Sequence, residues 1–253
     1  MPIIQSVERA LQILDLFDEQ NSELKITDIS KRMNLHKSTV HSLLKTLQVQ
    51  RYIEQDGASG KYRLGMKLFE RGNLLLQSMD IRGIARKYLL DLAANTGQTA
   101  NLVLLDGQAG VYIDKVEGPR AAIRYSRIGR RIPLHCSAVG KAMAAFMGEA
   151  ELKELLAGYI YEKQTAKTIG SEVEFVQELA AVRAAGVAID HEENEPGVRC
   201  AAVPLYNYEG RVTAALSIST LTSSVDEAEL DSCIALLRQA AADISAQMGY
   251  RAR

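Results

Sequence analysis

The stretch DISKRMNLHKSTVHSLLKTLQ, residues 28–48, constrains the fold most tightly, because it holds two apolar helical periodicities with only three residues between them. Ile29 and Met33 lie on one face of a short helix, and Val40, Leu43, Leu44 and Leu47 form the stripe of a second. Between them Asn34-Leu35-His36 reads as a turn in which Asn34 tolerates a left-handed backbone. A connection this short lets the second helix protrude. The face opposite its stripe shows Lys37, Ser38, His41, Ser42 and Lys45.

The flanking segments complete a pattern. Residues 7–17 place Val7, Ala10, Leu11, Leu14 and Phe17 at helical spacing with Ser6 as the expected N-cap, and Thr27 is the expected N-cap of the next helix. After the third helix, Tyr52–Gln55 and Lys61–Leu64 read as strands around a Gly and Ser rich turn. Three helices and a hairpin within about 65 residues is the element order of a winged helix-turn-helix. The charge agrees. The whole chain carries a net charge of -1, yet residues 25–51 hold Lys25, Lys31, Arg32, Lys37, Lys45 and Arg51 against Asp28 alone. One basic patch on a neutral chain points to a small docking surface for a polyanion, with an affinity that falls as salt rises.

Residues 66–79 continue as a helix whose Leu68, Leu74, Leu75 and Leu76 offer more apolar surface than one helix hides, so it is expected to bridge domains or pack on a partner chain. From residue 80 a second unit begins: a helix ending near Gly97, then the β-rich stretches TANLVLLDG, GVYIDKVEG and AAIRYSRIG with DG and EG at the turns. SAVGKAMAAFM reads as a small-residue helix opened by Ser137, and Ser171 with Glu174 and Ser224 with Glu227 form two S-x-x-E capping boxes ahead of longer helices. GVAIDHEENEPG, RCAAVPLYNYEG and RVTAALSIST supply the remaining strands of a central antiparallel sheet with helices on it. The predicted division is a winged helix-turn-helix domain at 1–65, a linker helix at 66–79 and a sensor-like domain at 80–253. The fold class is α+β.

With 47% hydrophobic and 24% charged residues the composition is that of a soluble globular protein, and no run of about 18 apolar residues suggests a membrane span. Cys136, Cys200 and Cys233 are an odd set without a CxxC pair, which argues against a disulfide framework and for thiols in the reducing cytoplasm.

Three blocks in order carry a resemblance: LKITDISKRMNLHKSTVHSLLKTLQVQRYIEQD with KYRLGMKLFERG, then VYIDKVEGPRAAIRYSRIGRRIPLHCSAVGKAMAAF, then GVAIDHEENEPGVRCAAVPLYNYEGRVTAALSIS. Over essentially its whole length the chain resembles the IclR family of bacterial transcriptional regulators. The resemblance implies a winged helix-turn-helix joined by a helix to a GAF-like effector domain. It also implies a homodimer or homotetramer (a dimer of dimers) that binds palindromic operators in double-stranded DNA, usually as a repressor, and a small organic acid effector. Ser42 departs from the Arg common in the family, which leaves the operator sequence open.

On this reading Lys37, Ser38, Thr39, His41, Ser42 and Lys45 approach base edges or phosphates from the major groove, where short hydroxyls position more than they specify. Lys61 and Arg63 on the hairpin, with Ser6 and Arg9 on the first helix, would hold phosphates or reach the minor groove; Tyr52 is expected to pack in the core. In the second unit Ser217 and Ser219 alternate along ALSIS and share one strand face. The resemblance sets Asp190 and Cys200 opposite them, near a helix start whose Ala138 and Val139 N–H groups, beside Ser137, suit a carboxylate. Tyr125, with Arg124 and Ile128, falls in the segment that covers the pocket in the family. Asp190 could repel an anion, bind a ligand hydroxyl or orient its loop. Equally, Cys200 could be a small core residue and the serines could satisfy backbone groups.

Rival chemistries are weaker. Cys200, His135 and Asp190 can be written as nucleophile, base and orienter of an enzyme or metabolite sensor whose first 65 residues make protein contacts only, but Cys200 lacks a glycine-flanked elbow. His135, Asp190, His191 and Glu193 lack close metal-ligand spacing, and GKAMA around Lys141 lacks the earlier glycine and following hydroxyl of a phosphate loop. Neither a cofactor nor a metal is expected.

Overall fold

The computed structural model describes residues 3–18, 20–77, 80–121 and 126–251. It divides into two compact units, Met1–Ser78 and Met79–Arg253.

In the first unit α1 spans Gln5–Leu14, α2 Ile26–Met33 and α3 Lys37–Val49, followed by β1 (Ile53–Gln55), β2 (Tyr62–Leu64) and α4 (Met66–Gln77). The turn between α2 and α3 is built as its residues dictate. Asn34 takes φ 51° and ψ 44°, and the Ser30 hydroxyl donates to the Leu35 carbonyl at 2.6 Å, closing the chain back on α2. Ile13, Ile29, Val40, Leu44 and Ile53 are fully buried and share one core with Phe17, Leu24, Leu47 and Tyr62. Each such side chain contributes about 1.5–3 kcal/mol by leaving water. Tyr52 is half-buried against this core. Backbone bonds between Leu24 and Tyr62, at 2.9 and 2.8 Å, add a rung that ties the hairpin to the segment before α2.

Two expectations fail here. Ile4, in an extended conformation, is the N-cap of α1, so Ser6 lies inside the helix, and Lys25 rather than Thr27 precedes α2. The Lys25 N–H donates to Asp28 Oδ2 at 3.3 Å, so the carboxylate at the third helical position reaches back to the N-cap backbone. The apolar stripe of α1 is also turned: Ile13 is buried, whereas Val7 and Leu11 are more than half exposed.

The second unit comprises α5 (Asp80–Thr96), β3 (Thr99–Asp106), β4 (Ala109–Val116), β5 (Arg131–Pro133), α6 (Ala138–Ala145), α7 (Glu149–Leu156), α8 (Glu172–Ala185), β6 (Ala188–His191), β7 (Val198–Tyr206), β8 (Val212–Leu221) and α9 (Glu227–Gln247). One six-stranded antiparallel sheet runs in the order β5-β4-β3-β8-β7-β6. Helices cover both of its faces, so β7 and β8 are buried in nearly every position instead of alternating. Val103, Cys200, Ala202 and Ala215 face α6 and α8, and Ala100, Leu102, Val203 and Ile218 face α5 and α9. Gly140 in the first turn of α6 approaches Leu134 so closely that a Cβ would lie 2.3 Å from the Leu134 Cα, which seats the start of that helix tightly on the chain leaving β5.

Ser137 and Ser171 cap α6 and α8, accepting from Gly140 N at 3.2 Å and Glu174 N at 3.3 Å. Ser224 does not cap α9. Asp226 does so, accepting from Glu229 N at 2.8 Å, because it sits one residue before the first helical turn while the Ser224 hydroxyl bonds back to Leu221. Of the strand expected within AAIRYSRIG, residues 122–125 lie outside the described residues and 126–129 are not strand; a strand follows at Arg131–Pro133, where it pairs with Ala109–Val111. Helix α7 has no counterpart among the expected elements.

Candidate functional site

The polar side of α3 stands in solvent. Lys37, Ser38, His41, Ser42 and Lys45 are exposed and Thr39 is half-buried. The Ser42 hydroxyl donates to the Ser38 carbonyl at 3.2 Å, so in the absence of a partner it is turned along its own helix. Neither Lys37 nor Lys45 makes an ion pair among the described residues. The wing cations do: Arg63 meets Glu54 at 3.1 Å across the β1–β2 rung, and Lys61 meets Glu23 at 3.4 Å. Both pairs are exposed and exchangeable for phosphate. Ser6 is exposed and Arg9 half-buried on α1.

The second constellation is buried and lies on the α6 side of the sheet. Register puts Asp190 opposite Cys200, Cys200 opposite Ser219, and Ser219 opposite Thr99. A neighbouring row two residues along joins Ala202, Ser217, Asn101 and Lys115. Residues directly opposite in an antiparallel pair, and those two along, share a face. The four expected residues Asp190, Cys200, Ser217 and Ser219 are therefore assembled on one surface, beneath a helix that packs on β6, β7 and β8. The Cys200 thiol donates to Ser219 Oγ at 3.2 Å, and the Asn101 amide nitrogen donates to Ser217 Oγ at 3.4 Å and Ser219 Oγ at 3.2 Å. Ala138 and Val139, whose N–H groups precede the intrahelical ladder, are buried on the same side, and Ser137 Oγ donates to the Pro133 carbonyl at 2.5 Å. Tyr125 and Arg124 lie outside the described residues. Ile128 is exposed.

Thr99 and Asn101 are not among the residues that motif and spacing point to. Both are fully buried, and Thr99 Oγ1 and Asn101 Oδ1 have no hydrogen-bond partner among the described residues, in an interior where nearly all such atoms are paired. Their signal is present in TANLVLLD, where two polar residues alternate at the start of an apolar strand.

Behind this surface sits a buried ionic group. Lys141 of α6 has no solvent exposure, and its Nζ donates to Glu178 Oε1 at 2.9 Å, Glu193 Oε1 at 2.8 Å and the Ile189 carbonyl at 2.5 Å. Asp190 Oδ1 accepts from Glu193 N at 2.7 Å. Burial, then the Glu193 charge, raises the Asp190 carboxyl to about 7 despite that bond. Burial also pushes the Cys136 thiol up to about 12, with the Asp190 charge adding to it. Cys136 therefore remains a thiol near the sheet.

His135 is engaged elsewhere than the enzyme reading requires. Its Nε2 faces the Glu162 carbonyl at 3.1 Å, so that nitrogen carries the proton and Nδ1 accepts from the Tyr159 hydroxyl at 2.9 Å. Burial lowers its pKa. With both ring nitrogens occupied, neither is available to Cys200. Among the described residues no group of three or more His, Cys, Asp or Glu could hold a metal ion, and no helix is long and apolar enough to cross a membrane.

A helix-turn-helix with a hairpin wing and an exposed cationic face, followed by a helix-covered sheet unit, defines a DNA-binding transcriptional regulator. Comparison with known proteins sharpens the class. The profile described as "Bacterial transcriptional regulator IclR C-terminal" matches residues 73–246, and the "IclR helix-turn-helix domain" matches residues 6–57. The chain is 59% identical over 252 residues to HTH-type transcriptional regulator XynR of Escherichia coli (strain K12), covering 100% of both chains. It is 35% identical to the DNA-binding transcriptional repressor YiaJ of the same organism, covering 98% of this chain and 89% of that one. The crystal structure of the Thermotoga maritima IclR superposes with a TM-score of 0.80 at 33% identity, covering 98% of this chain and 100% of that one. The chain belongs to the IclR family of bacterial transcriptional regulators.

Proposed function

We propose that the protein is a repressor that binds a palindromic operator as a homodimer or dimer of dimers and loses or gains operator affinity when a small organic acid occupies the α6 face of the central sheet. Lys37, Ser38, Thr39, His41, Ser42 and Lys45 enter the major groove, and Lys61, Arg63, Arg9 and Ser6 hold phosphates. The acid's carboxylate lies at the Ala138 and Val139 N–H groups beside Ser137, and Cys200, Ser217, Ser219 and Asp190 bind its remainder, with Tyr125 in the covering segment. The segment 66–79, which begins with α4, links the two domains and carries the signal.

The observation that carries the effector reading is the gathering of Asp190, Cys200, Ser217 and Ser219 on one buried face. With its carboxyl near 7, Asp190 is partly protonated at neutral pH, which relieves its repulsion of an anion and lets it donate to a ligand oxygen. An effector that changes operator affinity tenfold needs only about 1.4 kcal/mol of differential binding between two arrangements, which a few such contacts supply.

The test is a gel shift of the full-length protein on DNA upstream of its own reading frame, repeated with sugar acids, keto acids and aromatic acids. Sequence-selective, salt-sensitive binding that one acid class shifts about tenfold is the expected result. Binding insensitive to every acid would overturn the effector reading, and turnover of a small substrate abolished in Cys200→Ala would favour an enzyme.

A further inference from the structure

We infer that Asn101, together with Thr99, determines ligand specificity in the proposed effector site by selecting a carboxylic acid that carries a hydroxyl group over the matching keto or deoxy acid. The inference rests on the effector reading above. Asn101 lies in β3 between Ser217 of β8 and Lys115 of β4, and Thr99 lies opposite Ser219. The amide nitrogen of Asn101 donates to both serine oxygens, while Asn101 Oδ1 and Thr99 Oγ1 are fully buried without a partner among the described residues.

The surrounding side chains do not supply the missing donor. The Cys200 thiol is spent on Ser219 Oγ, and the Lys115 ammonium is turned to the Ser126 carbonyl at 2.8 Å and to Glu117 at 2.7 Å. With the Asn101 amide nitrogen held by the two serine oxygens, its Oδ1 calls for a donor, which a ligand hydroxyl supplies. A keto oxygen only accepts, and a methylene does neither. Thr99 Oγ1, two residues along the same strand face, offers a partner to a second hydroxyl roughly 7 Å away. Sites built to bond a hydroxyl discriminate strongly against analogues that lack it, since their buried groups are then left unpaired.

Calorimetric titration of the full-length protein with lactate, pyruvate and propionate, with gluconate against hexanoate, and with benzoate as an aromatic control, tests this. The hydroxylated member of each set binds at least about tenfold tighter than its analogues. Asn101→Leu brings these ratios close to one. A wild-type protein that binds pyruvate, hexanoate or benzoate as tightly as the hydroxy acids overturns the inference and leaves the effector reading standing; so does an Asn101→Leu protein that keeps the ratios. If no acid binds, both readings fall. Should Asn101→Leu not fold, Thr99→Val, of nearly the same shape, lowers the gluconate-to-hexanoate ratio at least about threefold, and an unchanged ratio overturns the inference.

Discussion

The outer face of α3 and the α6 face of the sheet use the same small hydroxyls in opposite relation to water. Ser38, Ser42 and their basic neighbours are exposed and hydrated, so each contact they make gives up water first and is screened by salt. Thr99, Asn101, Ser217 and Ser219 are already stripped of water in the folded chain, and two of them hold unmet hydrogen-bonding capacity. That deficit lowers the stability of the folded chain, and on the effector reading proposed above a bound acid would recover it. The DNA-binding surface is left wet, whereas the α6 face of the sheet is kept dry.

The contrast is broken or sharpened by four experiments, beginning with the deepest group. Lys141→Met leaves Glu178 and Glu193 without their buried cation and is expected to cost about 3–5 kcal/mol in guanidinium unfolding. A loss under about 1 kcal/mol would show that water reaches the cluster.

Asp190 comes next. Because its folded carboxyl is raised from 3.8 to about 7, the folded protein retains a proton that the unfolded chain has released, so the associated stability is complete below about pH 4 and declines as pH climbs through 7. Thermal unfolding midpoints of Asp190→Asn should show a flatter profile between pH 5 and 8 than wild type. An identical slope would place the titration elsewhere.

On the wet side, Lys45→Ala should weaken operator binding about tenfold and reduce the slope of log affinity against log salt by about 0.9 for each phosphate that Lys45 neutralises, with no change in unfolding midpoint. A base-specific role would leave that slope intact. The smallest effect is expected from Glu54→Gln, which releases Arg63 from its exposed partner and should raise DNA affinity by no more than roughly threefold, as read in a filter-binding titration at low salt.

Local patterns were legible where one short window contained the whole cause. The α2–α3 turn followed from Asn34 and the spacing on either side of it, and Ser137 and Ser171 announced α6 and α8. Ser6 and Ser224 misled because a hydroxyl near a helix start caps only from the residue whose backbone is still extended, and that residue was Ile4 in one case and Asp226 in the other. The stripe of α1 was misjudged because Val7 and Leu11 fit a helical period, yet the packing of Ile13 and Phe17 decides which side faces the core. At the sheet, the alternation of Ser217 and Ser219 was visible within β8, but their meeting with Asn101 spans more than a hundred positions and depends on register. Lys141 is the extreme case: a lysine on a small-residue helix gives no sign that two distant carboxylates will enclose it.

Enclosure of that lysine has a mechanical corollary. One ammonium is bolted at once to α8 through Glu178, to the edge strand β6 through the Ile189 carbonyl, and to the bend after β6 through Glu193. Whatever nudges α6 must therefore drag the sheet margin with it or tear an ion out of its dry socket, so helix and margin answer a push as a single stiff block.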